Sequence, residues 1–289
     1  MRAARAVAHH RCLRFAHCVV PAQPPQLRAG HMQTTVSINA FATREPPVFE
    51  TKEAERRHVQ ERLAAACRIL GRRGLSEGLL GHITVRDPQR ADCFWVNPIG
   101  VPMHRVKASQ LVQVDHQGRV VQGDGAVNPV GLLLHTALHR ARPDVAAVCH
   151  AHASAASTWA ALERLLDPIT QDASVFYGQQ ALIREPRLVR DTASAERFAR
   201  AFGDERVAIH AGHGIFTTGS SVDEAAWWFV LMNRCCDDQL RAEAAGTPTQ
   251  YPAEDAGWLA STLGSPRFGW LSFQTLWDDI VASDPDLRD

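Results

Sequence analysis

Short alternating runs joined by tight turns constrain this chain more than any other feature. "HITVRDP", "CFWVNP" and the two halves of "LVQVDHQGRVVQG" carry β-branched and aromatic residues with a strand's period rather than a helix's. The turn at "HQG" reverses the chain, so the strands on either side of it lie antiparallel. Helical patterns sit between the strands. Val59, Leu63, Ala66/Cys67 and Leu70 recur at helical spacing, and Arg72, Arg73 and Gly74 form a stop. Asn128 and Pro129 can open a helix through "VGLLLHTALHRA", which ends before Pro143. "VAAVCHAH" reads as a strand, "SAERFARAFG" as a short helix, and "RVAIHAGHGIFTTG" as strand, loop and strand. Ser221 and Glu224 have the spacing of a capping box for the long helix "SVDEAAWWFVLMNRCCDDQLRAEAAG". Helices and strands interleave, while the hairpins call for a mainly antiparallel or mixed central sheet. We therefore expect one α/β domain over residues 50–250, with a helical C-terminal extension, 251–289, packed on it.

The first 44 residues differ: six arginines and four histidines precede the first acidic residue, Glu45, and "PAQPPQ" interrupts any helix. Residues 1–45 are expected to form a disordered tail or to reflect a start placed too early, Met32 being the alternative start; an Arg-rich, acid-poor leader is also compatible with a transit peptide. The remaining bulk properties exclude more than they suggest. With 31 basic and 31 acidic residues there is no overall field for nucleic acid or an anionic membrane. No apolar run approaches the ~20 residues of a spanning helix. Seven cysteines without C-x-x-C spacing suit buried thiols in a reducing, cytoplasmic setting.

The chemistry-bearing stretch is "CHAHASAAST". Alternate residues of a strand face one side, so His150 and His152 can both point at one ion. His213 lies between two glycines in "AGHGIF", where the backbone can turn sharply. Three neutral imidazoles would suit one divalent ion (Zn, Fe or Mn) and leave positions open for water and substrate. Spacing alone is equally consistent with loop or surface histidines.

The blocks "GHITVRDP", "NPIGVP", "HTALHRARPDVAAVCHAHA" and "HGIFTTG", in that order, resemble the class II aldolase/adducin family over about residues 55–245. The resemblance implies an α/β/α fold, a homotetramer with sites at subunit interfaces, and a metal held by His150, His152 and His213. The departures matter as well. Sugar-phosphate aldolases of the family carry an acid/base glutamate four residues before the helix histidine; here, four before His135, stands Gly131. Their phosphate-binding positions correspond to His82, Ile99-Gly100 and Pro129-Val130, of which only Gly100 is retained. An unphosphorylated substrate is expected, with His82 and Gly100 at its binding positions.

A narrower similarity, through "NPIGVP…KAS", "LLDPITQDASVFYG", "AEAAGTP" and "GWLSFQTLWDDIV", is to the branch named for a decarboxylase of aminocoumarin pathways. Members of that branch handle aryl 2-oxo or 2-hydroxy acids, in one case as iron oxygenases. The expected function is thus metal-dependent C–C cleavage of a small carboxylic acid by a lyase or decarboxylase. An Fe(II) oxygenase performing oxidative decarboxylation and a non-catalytic adducin-like interaction module are the alternatives. Lys107 and Arg105 are candidates to pair with the substrate carboxylate, against a reading as solvated surface charges. Asp172, Tyr177 and His135 are candidate proton-transfer groups, against readings as a turn carboxylate, a core aromatic and a satisfied core histidine.

Overall fold

The computed structural model describes residues 44–185 and 187–289, and the leader apart from Arg44 and Glu45 lies outside them. The elements run α1 (Lys52–Arg72), β1 (Gly81–Arg86), β2 (Cys93–Val96), β3 (Val112–Asp115), β4 (Val120–Gln122), α2 (Pro129–Ala141), β5 (Ala147–Ala151) and α3 (Ser154–Ala161). They continue with α4 (Gln171–Ser174), β6 (Gln180–Ile183), α5 (Thr192–Phe202), β7 (Val207–His210), β8 (Gly214–Gly219), α6 (Val222–Ala245), α7 (Ala253–Thr262) and α8 (Pro266–Ser283).

The eight strands form one sheet in the order β4-β3-β2-β1-β5-β8-β7-β6. Every neighbouring pair is antiparallel except β6 and β7. Those two are joined through α5, the crossover that a parallel pair needs. The mixed sheet expected from the hairpins is present. The edge strand β6, in "QQALI", went unanticipated: four residues are too few for either periodicity to register.

Side-chain alternation along β5 divides the core into two layers. Ala147, Cys149 and Ala151 enter the larger cluster with Leu63 and Leu70 of α1, Trp159 of α3 and Phe229 of α6. Val148 joins Leu134 and Leu138 of α2 and Phe198 of α5 on the opposite face. Helices therefore cover both faces of the sheet, giving α/β/α layers. The C-terminal helices belong to the same core: Phe273, Ile280 and Leu287 are buried in the larger cluster.

One local expectation is modified. Ser221 caps α6 by accepting from the Glu224 N–H at 3.1 Å. The Glu224 carboxylate does not return to Ser221. It accepts from the Ser220 N–H and hydroxyl, both at 2.7 Å, and from the Trp228 indole N–H at 3.0 Å. A fully buried indole needs an acceptor, and Trp228 takes the one in reach.

Candidate functional site

Three elements bring the triad together. His150 is the fourth residue of β5, and His152 follows one residue after the strand ends. His213 sits in the reversal between β7 and β8, where Gly212 has φ +67° and Gly214 φ +157°. Both values fall where side chains are strained, so the glycines permit the turn that presents His213. The turn closes with the His213 N–H donating to the His210 carbonyl at 3.0 Å.

The donor atoms of His150, His152 and His213 all lie within 4.8 Å of one another, a grouping that could hold a metal ion. Three observations test the fit. His152 and His213 face each other with Nε2 atoms 3.0 Å apart. Two ~2.1 Å bonds at the tetrahedral angle hold their donors about 3.4 Å apart, so a small opening would admit an ion. His150 Nδ1 lies 2.8 Å from the Ile215 carbonyl, which fixes the tautomer and directs Nε2 inward. Its ring is stacked on Phe216 at 3.9 Å and 8°, so it cannot swing away. Burial, then neighbouring imidazoles, holds His150 well below the ordinary histidine range and His213 at about 4. Burial lowers His152 as well. All three are neutral near pH 7, as ion binding requires.

The triad opens into a cavity of about 220 Å³, otherwise lined by Leu79, Leu80, Gly81, His82, Asn128, Val130, Gly131 and Leu134. Among the described residues no carboxylate lines it. Leu79, Leu80 and Val130 are about half exposed and form an apolar rim. A larger cavity, about 530 Å³, lies at the other end of β1 among Phe49, Arg62, Asp223 and Trp270, but holds none of the triad.

His82 stands directly opposite His150 in the β1–β5 register. It is buried, and neither ring nitrogen has a partner in hydrogen-bonding geometry, although the Gly131 backbone lies alongside. A buried polar atom left in this way costs about 1–3 kcal/mol. The space that a side chain at position 131 would enter is taken by the imidazole of His82. Gly100, at φ +88°, lines an adjoining narrow cleft that shares His82 and Asn128 with the triad cavity.

The remaining candidates are placed elsewhere. His135 is fully buried behind His82, its ring centroid 4.3 Å away and its Nδ1 2.8 Å from the Thr84 hydroxyl. It supports the site without lining it. Lys107 pairs with Asp289 at 3.0 Å and Asp286 at 3.6 Å. With Arg105 it borders a separate cleft beyond Gly100, because the C-terminal carboxylates hold it there. Asp172, on α4, faces Arg234 at 3.5 Å, and Tyr177 is 38% exposed; neither lines the triad cavity of its own chain. Asn128 lines the cavity and also caps α2, accepting from the N–H groups of Val130 and Gly131 at 3.1 Å. Sequence reading gave it only the capping role.

Thr84 also bonds His139 Nε2 at 2.9 Å, extending a buried row of histidines away from the site. Burial pushes His139 down to about 3, against ~6.5 in an unfolded chain. Between those values the unfolded chain binds the proton and the folded chain does not. Stability present above about pH 6.5 is therefore lost as pH falls toward 3, by about 1.4 kcal/mol per unit for such a group. His139→Gln should flatten the acid limb of stability by about one proton's slope, read by urea unfolding between pH 6.5 and 4.5. An unchanged limb would assign the sensitivity to other groups.

Residues 61–240 match the family model described as Class II Aldolase and Adducin N-terminal domain. Decarboxylase NovR of Streptomyces niveus is 39% identical over 84% of this chain and 92% of its own. A protein of Streptomyces roseochromogenus subsp. oscitans, named 4-hydroxy-3-prenylphenylpyruvate oxygenase/4-hydroxy-3-prenylbenzoate synthase, is 38% identical over 84% of this chain and 89% of its own. Among solved structures, L-fuculose 1-phosphate aldolase from Glaciozyma antarctica PI12 superposes with a TM-score of 0.79. It is 33% identical and covers 85% of this chain and 97% of its own.

Proposed function

This chain belongs to the class II aldolase and adducin family, and from that premise we propose that it is a divalent-metal-dependent enzyme breaking a C–C bond in an unphosphorylated 2-oxo or 2-hydroxy carboxylic acid, with an aryl group preferred. The observation that carries this reading is the cavity itself: three convergent imidazoles, no carboxylate in the lining and an apolar rim. An ion bound by His150, His152 and His213 would supply Lewis acidity, holding the negative charge that develops as the bond breaks. Neutral ligands leave the ion's charge uncompensated, which favours a chelating anion over a neutral substrate. Leu79, Leu80 and Val130 offer an aromatic ring a surface and limit water at the reacting end. For proton transfer within one chain, the one titratable side chain lining the cavity besides the three ligands, among the described residues, is the imidazole of His82. Asp172 and Tyr177 could take part only across a contact between copies, in the homo-oligomer the family resemblance implies.

The second reading, an Fe(II) oxygenase performing oxidative decarboxylation, is favoured by the oxygenase name of the Streptomyces roseochromogenus relative. The aldolase name of the Glaciozyma structure pulls instead toward a sugar phosphate. Against that stand Gly131, and the histidine and proline at positions where such aldolases hold phosphate. Protein purified anaerobically, with its metal content measured, should turn over phenylpyruvate-type acids and leave L-fuculose 1-phosphate intact. Turnover without oxygen supports the lyase, and stoichiometric uptake at an oxygen electrode supports the oxygenase. Efficient cleavage of the sugar phosphate would overturn both, and inertness toward every acid with no bound metal would favour an interaction module.

A further inference from the structure

His82 and the side chain of residue 131 exclude one another. A Cβ built on Gly131 would lie 2.3 Å from Nε2, 2.6 Å from Cε1 and 2.8 Å from Cδ2 of His82. Those distances are far inside van der Waals contact. The ring could move only by leaving its place against His135, which packs behind it at 4.3 Å and is itself fixed through Thr84. His150 meets its other side edge-on at 5.2 Å. Neither His82 nitrogen has a partner in hydrogen-bonding geometry, although the Gly131 backbone lies alongside; the side chain is only 6% exposed and lines the triad cavity. It nevertheless stands outside the group whose donors lie within 4.8 Å of one another. A group so placed would adjoin a ligand held by an ion at the triad.

We propose that His82 is a substrate-binding residue whose N–H donates to a carboxylate oxygen of the ligand held at the triad, and that Gly131 is the residue that makes room for it. The pair sets the site's preference: an imidazole donor stands where a residue with a side chain would place its own atoms. This deepens the function proposed above and rests on it. Orphaned buried nitrogens find partners in native proteins or in their ligands, and an anionic oxygen is the partner that fits a neutral donor beside a cation.

The test uses cobalt-loaded full-length protein, whose visible spectrum reports ligands at the ion. Phenylpyruvate and acetate are titrated separately into the wild type, His82→Ala, Gly131→Ala and the double variant. Cobalt stoichiometry should stay the same in all four. His82→Ala should weaken both carboxylates by tenfold or more, the range for a lost hydrogen bond to a charged group. Gly131→Ala should do the same by displacing the ring, and the double variant should be no worse than either single one. His82→Asn, which keeps a donor, should recover part of the loss and covers the case in which Gly131→Ala fails to fold. Loss of cobalt in His82→Ala would make His82 an ion ligand and overturn the proposal. Unchanged binding in His82→Ala would make it structural and overturn it equally. If acetate binds the wild type and phenylpyruvate does not, the substrate class is wrong while acetate still decides the role of His82. If neither binds, both readings fall.

Discussion

His213→Ala is expected to weaken divalent-ion binding by at least about 100-fold and to abolish turnover, while leaving the fold in place. Removing even an outer hydrogen-bond partner of a metal ligand commonly costs 10–100-fold, and removing a ligand costs more. The fold should survive because the turn is set by its backbone: Gly212 and Gly214 hold the left-handed conformations, and the His213 N–H, not its ring, bonds His210. His150→Ala is the harsher change. It deletes a ring that is 1% exposed and stacked on Phe216, so it should lower stability as well as affinity. The measurement is ion titration with calorimetry, paired with thermal unfolding at saturating ion. At 100 times the dissociation constant the wild type should gain about 2.7 kcal/mol, and His213→Ala at the same ion concentration almost none. Equal gains in the two proteins would remove His213 from the centre.

Much of this site could be read from the chain because its geometry is local. His150 and His152 share a face through strand alternation, and the glycines beside His213 announce a turn. The pairing that carries the inference was not legible in that way. His82 meets His150 because β1 pairs with β5 across some seventy residues of chain, and its approach to Gly131 depends on how α2 packs on the sheet. The family pattern flagged Gly131 as a missing carboxylate, and only the packing identified what occupies the space. Lys107 shows the reverse error. Its charge was read toward a substrate carboxylate, but its partners are Asp286 and Asp289, brought close because the C-terminal segment returns to α1. A single chain's pattern carries charge and period well and long-range contact poorly. The other strands and the longer helices were therefore anticipated, whereas β6, the short helices α3 and α4 and the open capping box at Ser221 were not.

The same return of the C-terminus to α1 produces the largest expected effect on stability. Arg62 of α1 is 4% exposed; its guanidinium pairs with Asp223 at the start of α6 and donates to Gln274 of α8 at 2.9 Å. Gln274 in turn donates to Asp223 at 3.0 Å. The guanidinium also lies 4.0 Å from the Trp277 ring centroid and 5.2 Å from that of Phe273. Asp223→Ala leaves this cation in place without its counter-charge, a change that costs about 3–5 kcal/mol when one partner of a buried pair is removed. Removing both charges in Arg62→Met/Asp223→Leu should recover most of that loss, because the desolvated charges leave together. The exposed Arg44–Asp278 pair, with side chains 47% and 50% exposed, is the internal control: Asp278→Ala should cost no more than about 1 kcal/mol. Urea unfolding distinguishes these outcomes, and a loss below about 1 kcal/mol in Asp223→Ala would contradict the network's role. Ion binding supplies a second readout. Asp223 follows the end of β8 at Gly219, whereas His213 precedes its start at Gly214, so the two sites lie at opposite ends of the strand. Asp223→Ala should therefore lower the unfolding midpoint while the folded protein binds its ion with wild-type affinity. Weakened ion binding in the folded variant would show instead that the α1–α6–α8 layer positions the triad through the sheet.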